Sequence, residues 1–340
     1  MDFNHLRTSF LLIAITLISG CATYVERSLL QRIPPSEIGG VTPDTLLEEG
    51  IETREFCLSV RTECTNYLFA AASGSAEKNE IALKFTVTFT NGTKVYELDL
   101  NREQVPYTER GTVVLAHGYG ADKQMWKMMI NYLTFLGFNV IAPDLQGHGE
   151  STIDQPSFGY HDAEVFSALI DSLSAKDVPR PLIAAGVSMG GVTVSRLATI
   201  RDDVAGLLLY APMAEFDEAT IGFIQMFMPK VSRVLPESSV RTAVQDALTA
   251  RSVPAGGASV VTYLDEIEVP TLIIVSDKDP IAPIDVYEPI AERNSNIQLQ
   301  QLLKRHHIEI TAIDKSSHQI VWPWLEQFGH RKTFDEDASS

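Results

Sequence analysis

A serine, two acids and a histidine, each just past a short apolar run, are the residues of this chain best placed to act together. Ser188 is the centre of Gly186-Val187-Ser188-Met189-Gly190. The apolar run Pro181–Ala185 leads into that pentapeptide, and Gly191 with the helix-compatible stretch Val192–Thr199 leads out of it. Strand, sharp turn and helix form the setting of a nucleophile elbow, which lifts a serine hydroxyl clear of the sheet. The turn strains the serine backbone, and glycines two before and two after it let strand and helix approach closely. The Met189 N–H, at the start of the helix, faces a developing oxyanion. Where a serine is presented this way, an acid and then a histidine follow in the chain. Asp277 and Asp279 follow the apolar run Pro270–Val275, and His318 follows the run Ile308–Ile313. Ser188, Asp279 and His318 therefore fall in the required order, with Asp277 competing for the acid role.

These residues need a scaffold that brings strand ends together. From Gly111 onward, buried-strand runs alternate with helical patterns, which points to a parallel, doubly wound sheet. Thr112–Ala116 is one such run, Phe138–Ala142 another and Gly206–Tyr210 a third. Met125–Leu136 and Ala163–Leu173 repeat apolar residues at helical spacing. Upstream, Ile81–Phe89 and Lys94–Leu100 alternate apolar and polar residues around Asn91-Gly92, a hairpin signal that suits an antiparallel start to the sheet. The interval 214–269 is too long for an ordinary connection and crowds Ile221, Phe223, Ile224, Met226, Phe227 and Met228 into one stretch.

Three segments carry a resemblance. They are His117-Gly118-Tyr119-Gly120, Pro143-Asp144-Leu145-Gln146-Gly147-His148-Gly149-Glu150-Ser151, and Gly186 to Gly191. Together they make the chain resemble a serine-type α/β-hydrolase of the monoglyceride-lipase and lysophospholipase-like branch, over about residues 81–330. It departs from that branch at Gln146, where an arginine is usual, and at Val187, where a histidine is usual. The resemblance implies an oxyanion hole built from the N–H groups of Tyr119 and Met189. It implies that 214–269 is a lid whose apolar residues line an acyl pocket. The family's D-x-x-x-P spacing, matched by Asp279 and Pro283, favours Asp279 over Asp277. His306 and His307 precede the expected last strand, at the wrong end for catalysis, while His117 and His148 suit structural hydrogen bonding in Gly-flanked turns.

Composition narrows the setting. The chain has 340 residues, 45% of them hydrophobic, which suits one large domain. Twenty-seven basic against 44 acidic residues leave a net charge of −17, which argues against nucleic-acid binding. No cluster has zinc-ligand spacing and no phosphate-binding Gly-rich motif occurs, so neither a metal nor another cofactor is expected. Arg7 precedes the apolar stretch Phe10–Ile18, too short to span a bilayer but fitting a signal peptide. Ile18-Ser19-Gly20-Cys21 resembles a bacterial lipobox, with Cys21 the lipidated residue and Ala22 after it favouring the outer membrane. Cys57 and Cys64 remain; seven residues apart, they would be ~10.5 Å apart on a helix, so a disulfide between them requires a turn.

The expected organisation is a leader (1–20), a tether and N-terminal extension (21–80), an α/β-hydrolase domain (81–330) with its lid (214–269), and an acidic tail (331–340). The expected activity is hydrolysis of carboxylic esters, of small acyl or monoacylglycerol and lysophospholipid type, through an acyl-enzyme on Ser188. The expected setting is the bacterial envelope, lipid-anchored and facing the periplasm. Other substrates for the same triad (thioester, peptide, peracid or carbon–carbon bond) and a non-catalytic binding protein on this scaffold are the alternatives.

Overall fold

The apolar runs marked out in the sequence become adjacent strands of one sheet. The computed structural model describes residues 21–36, 41–58, 62–89 and 92–330; the leader and the acidic tail lie outside them. The strands are β1 (Ile51–Cys57), β2 (Cys64–Ala70), β3 (Glu80–Phe89), β4 (Gly92–Asn101), β5 (Gly111–Ala116), β6 (Phe138–Pro143), β7 (Leu182–Val187), β8 (Val204–Tyr210), β9 (Thr271–Val275) and β10 (Ile297–Gln301). The main sheet has the order β1-β2-β6-β5-β7-β8-β9-β10, parallel from β6 to β10. Every residue of β5, β6 and β7 is buried, as expected for strands with helices on both faces. The chain reverses its direction of winding at β5: β6 lies on one side of it and β7 on the other. Such a switch point opens a crevice beyond the strand ends, where ligands bind in open α/β sheets.

The antiparallel start of the sheet is not the expected hairpin. It is β1–β2, in register from Ile51↔Ala70 to Cys57↔Cys64, with β2 antiparallel to β6. The Ile81–Leu100 hairpin does form, as β3–β4, but as a separate two-stranded ribbon. Residues 51–70, read as extension, therefore belong to the sheet. Cys57 and Cys64 face each other across the β1–β2 pair and are joined in a disulfide. The turn that the spacing demands is the hairpin connection, and closing so short a loop is worth roughly 2–3 kcal/mol through the unfolded chain.

The second correction concerns the last strand. Ile308–Ile313 is a short 3-10 turn (His307–Glu309) followed by a loop, with Ile310, Ala312 and Ile313 in the core. The last strand is β10, whose polar residues Gln298 and Gln300 are exposed and whose Ile297 is buried. An edge strand with one wet face reads as weakly apolar in sequence, which is why a buried turn outshone it.

The interval 214–269 folds as the helices Phe216–Phe227, Pro229–Ser232, Glu237–Ala250 and Val261–Leu264, between β8 and β9. Its first helix packs close to the loop after β9: a Cβ on Gly222 would lie 2.7 Å from the Pro280 carbonyl oxygen. Among the described residues no helix is long and apolar enough to cross a membrane.

Candidate active site

Ser188 follows β7 and precedes the helix Met189–Ile200. Its φ of 52° and ψ of −119° are strained for a residue with a side chain. The surroundings hold it there. Its N–H donates to the Tyr210 carbonyl at 3.0 Å, and its own carbonyl accepts from Gly191 N–H at 2.9 Å and Met213 N–H at 3.0 Å. The glycines are required by contact. A Cβ on Gly186 would meet the Gly190 carbonyl oxygen at 2.3 Å, and one on Gly190 the Ala116 carbonyl oxygen at 2.1 Å. Strand β7, the elbow and β5 thus touch through backbone alone.

The acid and the histidine come from the loops after β9 and β10. Asp279 is buried, and its Oδ1 accepts from the N–H groups of Ile281 at 2.9 Å and Ala282 at 3.3 Å. Its Oδ2 lies 2.7 Å from His307 Nδ1. His307 lines the same cavity as Ser188. His318, the histidine expected from the sequence, is not in this group. It lies on the helix Lys315–Glu326, with Nδ1 2.9 Å from the Tyr132 hydroxyl and its ring stacked on Trp322. The misassigned strand explains the error: once β10 is the last strand, His307 stands just past its C-terminal end, where the chain order asks for a histidine. The signal was present in the Ile297/Leu299 alternation that precedes the His306-His307 pair. Asp277 instead fixes the loop, accepting from the Lys304 N–H.

The loop after β5 is held by His117. Its Nε2 accepts from Leu145 N–H at 2.9 Å, so its Nδ1 carries the proton and donates to the Gly118 carbonyl at 2.9 Å. In a trans peptide the carbonyl and the next N–H point in opposite directions. Anchoring the Gly118 carbonyl on His117 therefore turns the Tyr119 N–H away from that ring. Gly118 lies against the elbow, a Cβ on it falling 3.4 Å from Ser188 Cβ. Met189, as first residue of its helix, has an N–H with no intrahelical acceptor. Burial pushes His117 down to about 4 and His148 down to about 3, so both stay neutral at ordinary pH. Behind them, Asp144 accepts from the Lys123 ammonium at 2.7 Å and from Glu150 N–H at 2.8 Å, tying down the 144–150 turn.

The cavity in front of Ser188 measures about 1500 Å³, larger than the roughly 300–1000 Å³ of ordinary small-molecule sites. The 214–269 interval contributes Phe223, Phe227 and Met228 to its wall. Two further walls were not foreseen: Ile81, Leu83 and Phe85 of the β3–β4 ribbon, and a helix at residues 21–29. Cys21 is the first residue of that described helix, half-buried and with a free thiol.

Comparison with known proteins agrees with this fold. The Hydrolase_4 family, described as serine aminopeptidase, S33, matches residues 107–254. A thermostable monoacylglycerol lipase of Bacillus sp. (strain H-257) is 24% identical over 65% of this chain and 92% of its own length. A non-heme chloroperoxidase of Streptomyces lividans is 34% identical, but the match covers only 33% of this chain and 37% of that relative. Among solved structures, an esterase of Pyrococcus furiosus matches 88% of this chain and 99% of its own, with a TM-score of 0.61 and 17% identity, which establishes likeness of fold. With its switch-point sheet and elbow, the chain has the fold of the α/β-hydrolases.

Two predictions follow from the site. His307→Ala is expected to lower kcat by at least ~10³-fold, while His318→Ala, outside the Asp279 pair, costs far less; steady-state kinetics on both variants decides, and the reverse ranking would restore His318. The second concerns acid. Between pH 6.5 and about 4 the unfolded chain takes up protons that buried His117 and His148 refuse. Stability therefore drops as pH is lowered through that window. Asp162, held up to about 6 by burial, acts in the opposite sense with a smaller shift. Urea midpoints at pH 7 and pH 5 should differ by an amount that His148→Gln reduces; equal midpoints would contradict the buried neutral pair.

Proposed function

We propose that this α/β-hydrolase is a serine hydrolase of carboxylic esters carrying one acyl chain, such as small acyl esters, monoacylglycerols or lysophospholipid-like molecules. The observation that carries the reading is the meeting of Ser188 and the Asp279–His307 pair on one apolar cavity. In this reading Ser188 Oγ attacks the ester carbonyl while His307 Nε2 takes its proton. The tetrahedral oxyanion is held by the Tyr119 and Met189 N–H groups. His307 returns the proton to the departing alcohol, leaving an acyl-serine. Water, deprotonated by His307, then releases the acid. Asp279 keeps the proton-bearing Nδ1 of His307 in place and stabilises the imidazolium. A single oxyanion donor in such a site is typically worth ~3 kcal/mol of barrier.

The family match invites a peptidase reading, and the cavity favours an acyl group over an amino terminus. Glu49 is the only carboxylate among the described lining residues, and it is already paired with Lys127 at 2.7 Å and with Asn131 at 2.6 Å. A substrate ammonium would meet no unpaired acid.

Ser188→Ala is expected to abolish turnover of p-nitrophenyl esters and labelling by a fluorophosphonate while thermal unfolding stays cooperative; turnover near wild type would remove Ser188 from the mechanism. A panel of oxygen esters, thioesters and aminoacyl amides tests the substrate class, and a preference for amides would overturn it. We also propose lipid anchoring through Cys21 in the outer membrane. Mass spectrometry of the mature N-terminus should find a diacylglyceryl, N-acylated Cys21, and an unmodified terminus would refute it.

A further inference from the structure

The segment read from sequence as a tether is fastened to the loops that frame the site. Ile33 N–H donates to the Gly147 carbonyl at 2.8 Å, and Gly149 N–H returns a bond to the Ile33 carbonyl at 3.0 Å. Arg32 reaches Asp154 and the Gly149 carbonyl, each at 2.8 Å. The Ser36 hydroxyl donates to buried Asp122 at 2.7 Å. Ahead of these contacts, helix 21–29 presents Cys21, Tyr24, Val25, Ser28 and Leu29 to the cavity. That spacing of i, i+3, i+4, i+7 and i+8 is one stripe of a helix. Val25 and Leu29 are buried along it.

The two ends of the helix differ in what they meet. The carbonyls of Ser28 and Leu29, at its C-terminal end, each lie 3.4 Å from the Tyr119 hydroxyl. Tyr119 itself belongs to the loop beside the elbow. Burial pushes its phenol up to about 12, so it stays a donor. From Leu29 back to Cys21 the helix axis runs ~12 Å away from that contact. None of this segment falls within the matched family region, residues 107–254.

We propose that helix 21–29 is the chain-length-determining wall of the acyl pocket, and that the preferred esters carry a long, unbranched acyl chain lying along its Leu29–Val25–Cys21 stripe. The proposal rests on the ester reading above and narrows its substrate. Short acyl chains contact the Leu29 end. Long ones reach Val25 and then Tyr24, burying additional methylenes. The other apolar walls, Phe223 and Phe227 of the lid and Leu83 and Phe85 of the ribbon, complete the enclosure.

The test uses the full-length chain. Val25→Trp, which fills the middle of the stripe, should lower the ratio of kcat/KM for p-nitrophenyl hexadecanoate over butanoate about tenfold or more. Tyr24→Ala, at a largely exposed position that leaves packing intact, should lower the same ratio severalfold through KM. Equal effects on both esters would make the helix a structural element only and overturn the inference. A second measurement needs no turnover: binding of a fluorescent hexadecanoic acid to Ser188→Ala protein, with and without Val25→Trp. Weakening of at least fivefold supports the wall, and unchanged binding overturns it. Tight binding of the acid by a wild-type enzyme that hydrolyses neither ester would remove the ester reading and leave the wall standing.

Discussion

The close approach of β5, β7 and the helix after Ser188 governs everything else in this molecule. At Gly186 and Gly190 there is no room for a methyl group, since carbonyl oxygens stand within 2.3 Å of where one would be. Because those backbones touch, the serine must turn through a strained conformation, and because it is strained it must be held. Tyr210, Gly191 and Met213 hold it by backbone hydrogen bonds. The cost of such a residue is of order 1–3 kcal/mol, met by a sheet whose three central strands are wholly buried. The loop after β5 borrows the same contact, for Gly118 rests against the elbow.

The parts of the fold that were legible in the sequence are those where local pattern and final environment coincide. Strands β5, β6 and β7 are continuous apolar runs and are buried on both faces. The elbow declared itself because glycine, serine and glycine at that spacing have few other uses between a strand and a helix. The helical insertion at 214–269 declared itself by length and by its crowding of large apolar residues. Asp279 stood out from Asp277 through its spacing to Pro283, and the structure pairs it with His307. The failures share one cause. At the sheet edges, burial and periodicity part company: β10 is half wet and polar, whereas the 3-10 turn beyond it is apolar because it plugs the core. Reading apolar character as strand there moved the histidine from His307 to His318. At the other edge, β1 carries Glu52, Arg54 and Glu55 and could not be told from a surface extension. What places it in the sheet is its pairing with β2, which a single-segment pattern does not contain.

The edges also show how this hydrolase differs from a bare sheet and its helices. The cross-strand disulfide pins the end of β1–β2, the ribbon β3–β4 detaches to become a cavity wall, and the N-terminal helix becomes another. None of these pieces supplies a reacting group. The ribbon and the helix shape the cavity, and all three pieces come from residues before the matched family region, 107–254.

The cavity's chemistry has a further consequence. Met125, Met128, Met213 and Met228 all line it. Thioethers are polarisable and flexible, which lets one wall adapt to chains of different shape. They are also the side chains that peroxides convert to sulfoxides, turning soft apolar groups into polar, chiral ones. Oxidant would therefore make the cavity hydrophilic while leaving Ser188, His307 and Asp279 chemically intact. The cavity would lose its apolar character while the rest of the fold stood unchanged, and a sulfoxide reductase could give it back.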